Sequence, residues 1–181
     1  MKHAPLARCL AAVAALACSV PAMADLTEGA RAPDFTTDGA LAGKAFHFHL
    51  AEALKHGPVV LYFYPKAFTS GCTLEAHAFA EAAPQFKAAG ATLLGMSADD
   101  LPALEKFSVA ECRNAFPVAT ATPATIKAYD VPLKMVGVST GLTSRTSYVI
   151  APDGRVALVY DNMDYKDHVA KTLAAVKALK K

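Results

Sequence analysis

"PVVLYFYPKAFTSGCTLEAHAF", Pro58 to Phe79, decides how the rest of the chain is read. Val59 to Tyr64 is β-branched and aromatic, with no polar alternation. Such a run predicts a strand buried on both faces, as in the centre of a helix-covered sheet. Pro65 ends it by removing an N–H donor and fixing φ. Leu74 to Lys87 is rich in Ala and Glu and predicts a helix stopped by Gly90, with Pro84 kinking it or dividing it in two. Cys72 falls between the two elements, in or next to the first helical turn. Unpaired backbone N–H groups and the positive dipole end favour a thiolate there. A redox cysteine in this position usually has a partner in C-x-x-C. Here the first position of that motif is Thr69.

Outward from this stretch the pattern alternates. Ala91 to Ser97 predicts a second buried strand, and Leu101 to about Arg113 a helix with Pro102 in its first turn. Phe116 to Ala119 is a short strand. Thr122-Pro123 is an N-cap followed by Pro at the first helical position, opening a helix to Tyr129. Leu133 to Thr143 reads as a mobile loop. Arg145 to Ala151 and Arg155 to Asp161 alternate as strands around the tight turn Pro152-Asp153-Gly154. His168 to Leu179 closes the chain as an amphipathic helix with Val169, Leu173, Val176 and Leu179 on its apolar stripe. The order β-α-β-α-β-α-β-β-α predicts an α/β fold of thioredoxin-like type. It has a central mixed β-sheet flanked by helices on both faces, a C-terminal β-hairpin and a closing helix.

Ahead of this domain stands a different composition. Lys2 and Arg8 precede the uncharged apolar run Cys9 to Val20, and Ala22-Met23-Ala24 is an A-x-A cleavage signal. The three parts predict a secretory signal peptide over 1–24 and a single domain over 25–181. An apolar core helix, or a lipoprotein cleaved before Cys18, are the alternatives; Leu16 is misplaced for the usual lipobox. The run is shorter than the ~20 residues that span a bilayer, so no stable membrane insertion of the mature chain is expected. Removing the leader takes two basic residues and no acid, and the net charge falls from +2 to 0. A neutral chain without clustered Lys/Arg gives no basis for a nucleic-acid partner.

Two cysteines remain, Cys72 and Cys112. In an exported protein a structural disulfide between them is the plain alternative to a reactive thiol. His47 and His49 share a strand face, but no third ligand accompanies them. They read as a solvated face, and no metal or cofactor is expected.

Pro65-x-x-x-Thr69-x-x-Cys72 resembles the signature of the peroxiredoxins. "FYPKAFTSGCTLEAHAF" is similar to the bacterioferritin comigratory protein branch, or Q type. "GARAPDFT" (29–36), "AAGATLLGMSAD" (88–99) and "SRTSYVIAPDGRV" (144–156) resemble further family segments in the same order. The resemblance implies a thiol-dependent peroxidase acting on hydrogen peroxide and organic hydroperoxides. Cys72 is then the peroxidatic cysteine, oxidised to sulfenic acid. Thr69 hydrogen-bonds the peroxide, Pro65 shields the pocket, and Arg145 stabilises the thiolate and the peroxide oxygens. Glu75 matches an acid that orients the arginine. The chemistry is consistent with this set, since the nucleophile needs a cation, a donor and a dry pocket.

Many Q-type relatives carry a second cysteine five residues after the first; here that position is His77. A subset keeps its resolving cysteine near the end of the next helix, which matches Cys112. The resemblance therefore implies an intramolecular Cys72–Cys112 disulfide, reached by local unwinding. A one-cysteine enzyme rescued by an external thiol stays open. So do an exported thioredoxin-like oxidoreductase, against which Thr69 speaks, and a non-catalytic domain with a structural bridge. The implied partners are a peroxide and a thioredoxin-like or other thiol reductant. The expected setting is a bacterial periplasm, with the chain monomeric or dimeric.

Overall fold

The computed structural model describes residues 26–180; the leader expected over 1–24 lies outside them. Strands β1 (Thr36–Leu41) and β2 (Lys44–His49) form a hairpin at one edge of the sheet. A short helix α1 (Leu50–Leu54) leads to β3 (Val59–Phe63), the strand expected from the opening stretch. Then follow α2 (Ser70–Ala88), β4 (Thr92–Ser97), α3 (Leu101–Ala110), β5 (Val118–Thr120) and α4 (Pro123–Ala128). A second hairpin, β6 (Pro132–Met135) and β7 (Val138–Thr143), stands apart as its own two-stranded sheet. The chain ends with β8 (Thr146–Ile150), β9 (Val156–Asp161), a 3₁₀ turn (Tyr165–Asp167) and α5 (His168–Ala178).

The main sheet has the order β2-β1-β5-β4-β3-β8-β9. Strand β3 pairs parallel with β4 and antiparallel with β8, so the sheet is mixed, as the sequence predicts. Every residue of β3 is buried. Its side chains alternate: Val60 and Tyr62 enter a core with α2, α3 and α5, whereas Val59, Leu61 and Phe63 enter one with α1 and α4. Each such buried aliphatic or aromatic side chain contributes about 1.5–3 kcal/mol. Among the described residues no helix is long and apolar enough to cross a membrane.

One contact fixes the middle of this sheet. A Cβ on Gly95 would lie 2.7–2.8 Å from the ring and hydroxyl of Tyr62. That ring cannot retreat, because Phe79 stacks on it at 4.2 Å and Tyr64 at 5.4 Å. Gly95→Ala is therefore expected to destabilise the fold by about 1–3 kcal/mol. Differential scanning calorimetry checks it; an unchanged Tm contradicts this packing.

Three sequence expectations need correction. Helix α2 is one uninterrupted element of 19 residues through Pro84. Pro84 lies on the exposed face, and buried Phe79 and Phe86 anchor the helix on either side of it. The stop at Gly90 is as expected: with φ +71 it lets Ala91 N–H reach Phe86 C=O and Gly90 N–H reach Lys87 C=O. The stretch 133–143 is mostly strand, turning at Val136 and Gly137 with φ +50 and +78. Its alternation was hidden because Met135, Val136 and Val138 are apolar yet exposed. Helix α3 ends at Ala110, which puts Cys112 in the following turn, where Arg113 and Asn114 both adopt positive φ.

Candidate active site

Thr69 is the N-cap of α2, making Cys72 its third helical residue. The first α-helical bond runs from Thr73 N–H to Thr69 C=O, so the N–H groups of Ser70, Gly71 and Cys72 precede the helical ladder. Thr69 does not cap with its side chain. Its hydroxyl donates to Lys66 C=O at 2.9 Å, leaving the oxygen's lone pairs to the exposed side of the loop. Pro65 is half-buried at the strand exit.

Two side chains pin this loop. Asp99, at the end of β4, accepts from Ala67 N–H at 2.7 Å and from the Ser97 hydroxyl at 2.8 Å. Thr143, at the end of β7, donates to Tyr64 C=O at 2.6 Å. Phe68 is held at φ +63, which is uncommon for an aromatic residue, and lies edge-on over Phe107. In the sequence Asp99 carries no mark of this role beyond its place just after a buried strand, and Thr143 falls in the stretch 133–143 that reads as a loop.

Arg145 stands in the short link between β7 and β8, and the fold swings it under the start of α2. Its Nη2 lies 3.5 Å from Cys72 Sγ, its Nη1 donates to Glu75 Oε2, and its Nε donates to Met163 C=O at 3.0 Å. A Cβ at position 71 would stand only 3.3 Å from Nη2, so Gly71 clears the approach to the guanidinium. Cys72 and Arg145 are buried, and Glu75 is fully enclosed. Burial pushes the Glu75 carboxyl up to about 8, against the pull of Arg145. Burial works against the Arg145 charge, but the Glu75 and Cys72 charges outweigh it and hold the guanidinium protonated. The structure thus brings Cys72, Arg145 and Glu75 into one cluster, with Thr69 and Pro65 on the loop that leads into it.

His168, the first residue of α5, joins the same cluster. It is fully buried, with Nδ1 3.9 Å from Glu75 Oε1. Nothing in the sequence reading singled it out, because one His at a helix start resembles a surface residue.

Cys112 is free and fully buried, as is Cys72, and both belong to the core cluster on the α2 side of the sheet. Burial raises the Cys112 thiol far above its ordinary value. His77, where many Q-type relatives have a second cysteine, meets Glu111 at 2.8 Å, joining α2 to the Cys112 turn, and Arg113 meets Glu81 at 3.3 Å beside it. His47 and His49 pair with Asp38 and Asp34 on the β1–β2 edge, in keeping with a solvated face.

Residues 29–159 match the AhpC/TSA family. Chloroplastic peroxiredoxin Q of Populus jackii is 36% identical over 127 residues, which are 69% of this chain and 58% of that protein. The counterpart from Sedum lineare is 32% identical over 167 residues, covering 87% of this chain and 81% of the relative. The solved bacterioferritin comigratory protein of Xanthomonas campestris superposes with a TM-score of 0.69 at 31% identity, over 80% of this chain and 92% of that one. A family match across most of the chain, together with the thioredoxin-like sheet and a buried cysteine under an arginine, leads to one conclusion: the chain belongs to the AhpC/TSA family, in its peroxiredoxin Q/Bcp group of thiol peroxidases.

Proposed function

We propose that the protein reduces hydrogen peroxide and organic hydroperoxides through Cys72, with Cys112 as the resolving thiol. The observation that carries this reading is the Arg145 guanidinium, 3.5 Å from the Cys72 sulfur and gripped from behind by Glu75. Such a cation stabilises both the thiolate and the charge that develops on the peroxide oxygens. Thr69 has its proton committed to Lys66 C=O, so its oxygen is free to accept from the peroxide O–H. Pro65 limits water access beside it.

In the first step the Cys72 thiolate attacks one peroxide oxygen. The S–O bond forms as the O–O bond breaks, sulfur is oxidised to sulfenic acid, and the leaving alkoxide or hydroxide takes up a proton. In the second, Cys112 gives up its proton and its sulfur attacks Cys72: the S–S bond forms as the S–O bond breaks, and the departing hydroxide takes up that proton and leaves as water. An external dithiol then reduces the disulfide. The Xanthomonas campestris relative is described by its alkyl peroxide reduction activity, which supports the organic part of the substrate class.

Resolution requires both segments to open, because each sulfur is buried. The Cys112 turn is suited to this, with consecutive left-handed Arg113 and Asn114. The leader pattern over 1–24 supports export to a periplasm, where a membrane-fed thiol donor is the fitting reductant. The mature domain is 25–181, a monomer in this reading.

Intact-mass measurement after one equivalent of peroxide tests the scheme. Wild type is expected to lose two hydrogens, with a Cys72–Cys112 cross-link on peptide mapping. Cys112→Ser is expected to gain oxygen instead and to keep peroxide turnover when dithiothreitol is supplied. A stable oxygen adduct in wild type refutes Cys112 as the resolving thiol and leaves a one-cysteine enzyme served by an outside thiol.

A further inference from the structure

The loop that carries Pro65 and Thr69 is thinly held. Residues 65–70 are half-buried or exposed except for Ala67. Thr69 spends its hydroxyl inside the loop, on Lys66 C=O. Phe68 sits at φ +63, a conformation that costs energy for an aromatic residue. Among the described residues, one hydrogen bond ties this segment to another part of the sheet: Ala67 N–H donates to Asp99 Oδ2 at 2.7 Å.

Asp99 is itself fixed in place. The Ser97 hydroxyl donates to the same Oδ2 at 2.8 Å and accepts from Asp99 N–H at 3.4 Å. The Thr120 hydroxyl donates to Asp99 C=O at 3.1 Å, which holds the residue against β5. One carboxyl oxygen thus collects two donors, and both donors belong to buried residues, Ala67 and Ser97. Without that oxygen both are stranded away from water. Upstream, the strand exit is already rigid: Tyr64 N–H donates to Met96 C=O at 2.9 Å, and Tyr64 C=O accepts from Thr143. The Asp99 bond therefore acts on the stretch between a fixed strand exit and the start of α2.

The two steps of the proposed cycle ask opposite things of this stretch. Attack on peroxide needs it closed, with Thr69 and Pro65 beside Cys72 and the sulfur against Arg145. Bridging needs it open, because the Cys72 sulfur is buried. We infer that Asp99 is a positioning residue: by holding Ala67 N–H, its Oδ2 keeps the Cys72 loop closed for the first step and limits how often it opens for the second. Its carboxyl serves here as a hydrogen-bond acceptor and not as a charge. Both bonds fall on one oxygen, and an amide oxygen offers the same two lone pairs. Asparagine can therefore do the same work, and alanine cannot.

The inference rests on the peroxidase reading of Cys72, and the test keeps the two apart. Two rates are followed at Cys72 by peptide mass mapping at pH 7: oxidation by hydrogen peroxide, and, in separate samples, alkylation by a bulky maleimide, which needs the loop open. Asp99→Ala is expected to quicken alkylation about tenfold, the worth of one lost hydrogen bond to a charged group. Oxidation is expected to fall about threefold in the same variant, because the closed loop holds Thr69 less well. Ser97→Ala, a milder change that keeps the acceptor, is expected to quicken alkylation about threefold. Asp99→Asn is expected to bring both rates back to within about twofold of wild type. Ile150→Val weakens the opposite core, leaves every loop contact in place and is expected to change neither rate. A wild type inert to peroxide defeats the peroxidase reading, and the positioning role with it, whatever alkylation shows. With an active wild type, alkylation that does not quicken in Asp99→Ala or Ser97→Ala, an Asp99→Asn variant that fails to rescue, or equal quickening in Ile150→Val overturns the inference and makes Asp99 a general stabiliser of the sheet end.

Discussion

Cys72→Ser is expected to abolish peroxide turnover with dithiothreitol, a fall on the order of 10⁴-fold or more, as for the loss of a covalent nucleophile. The reason is twofold. A hydroxyl three residues into a helix does not ionise near neutral pH, so no nucleophile forms even beside Arg145. Nor could its oxygen accept a second oxygen and remain stable, whereas sulfur readily becomes sulfenic acid. The substitution removes one buried sulfur and leaves Glu75 and Arg145 paired, so folding is expected to survive. Peroxide consumption and a thermal melt on the same sample check both statements. Turnover above a few per cent of wild type would move the nucleophile elsewhere, and Cys112 would be the place to look.

Arg145→Lys is expected to slow Cys72 oxidation by about 10²–10³-fold, the range seen when one preorganised donor is lost from a developing anion. The charge is kept, so the loss reports geometry. Arg145 uses three nitrogens in three directions: toward Cys72, Glu75 and the Met163 carbonyl. One ammonium on a flexible stem cannot hold all three. Arg145→Met goes further and leaves Glu75 buried without its cation. That change is expected to destabilise the protein by about 3–5 kcal/mol at a pH above the Glu75 value, as for a broken buried ion pair. The sign follows from the raised carboxyl: burial lifts it to about 8 even against the pull of Arg145, and losing that pull lifts it further, so the penalty shrinks as pH falls and the group takes a proton. Stopped-flow oxidation rates test the first variant and chemical denaturation at two pH values the second. A rate for Arg145→Lys within threefold of wild type contradicts the role of the fork.

The architecture was legible where the chain obeys simple periodicity. Val59 to Phe63 is an uninterrupted apolar run because it is covered on both faces. Thr122 and Pro123 announce α4 by capping chemistry alone, and the Thr122 hydroxyl accepts from Thr125 N–H as that predicts. The β1–β2 hairpin was only half visible, since Gly39 on β1 and Lys44 and His47 on the edge strand β2 dilute the alternation. The β6–β7 hairpin was invisible because its apolar residues point to solvent. Within the site, the residues nearest Cys72 along the chain were readable from one motif. Those that converge from about 90 to 100 residues away, Met163 and His168, depend on how the C-terminal segment docks, which no local pattern encodes.

In the proposed cycle the enclosed position of Cys112 also sets a clock. Its sulfur is fully buried, its thiol strongly disfavours ionisation, and a His77–Glu111 hydrogen bond and an Arg113–Glu81 ion pair fasten its turn to α2. In the proposed cycle the sulfenic acid on Cys72 must therefore wait for an opening event that peroxide does not accelerate. Oxidation quickens with peroxide concentration, while the waiting interval stays constant. At low dose every sulfenic acid is rescued; at high dose a second peroxide arrives within the interval and drives Cys72 to the irreversible sulfinic form. In that cycle the packing around one silent cysteine fixes the peroxide level above which the protein consumes itself.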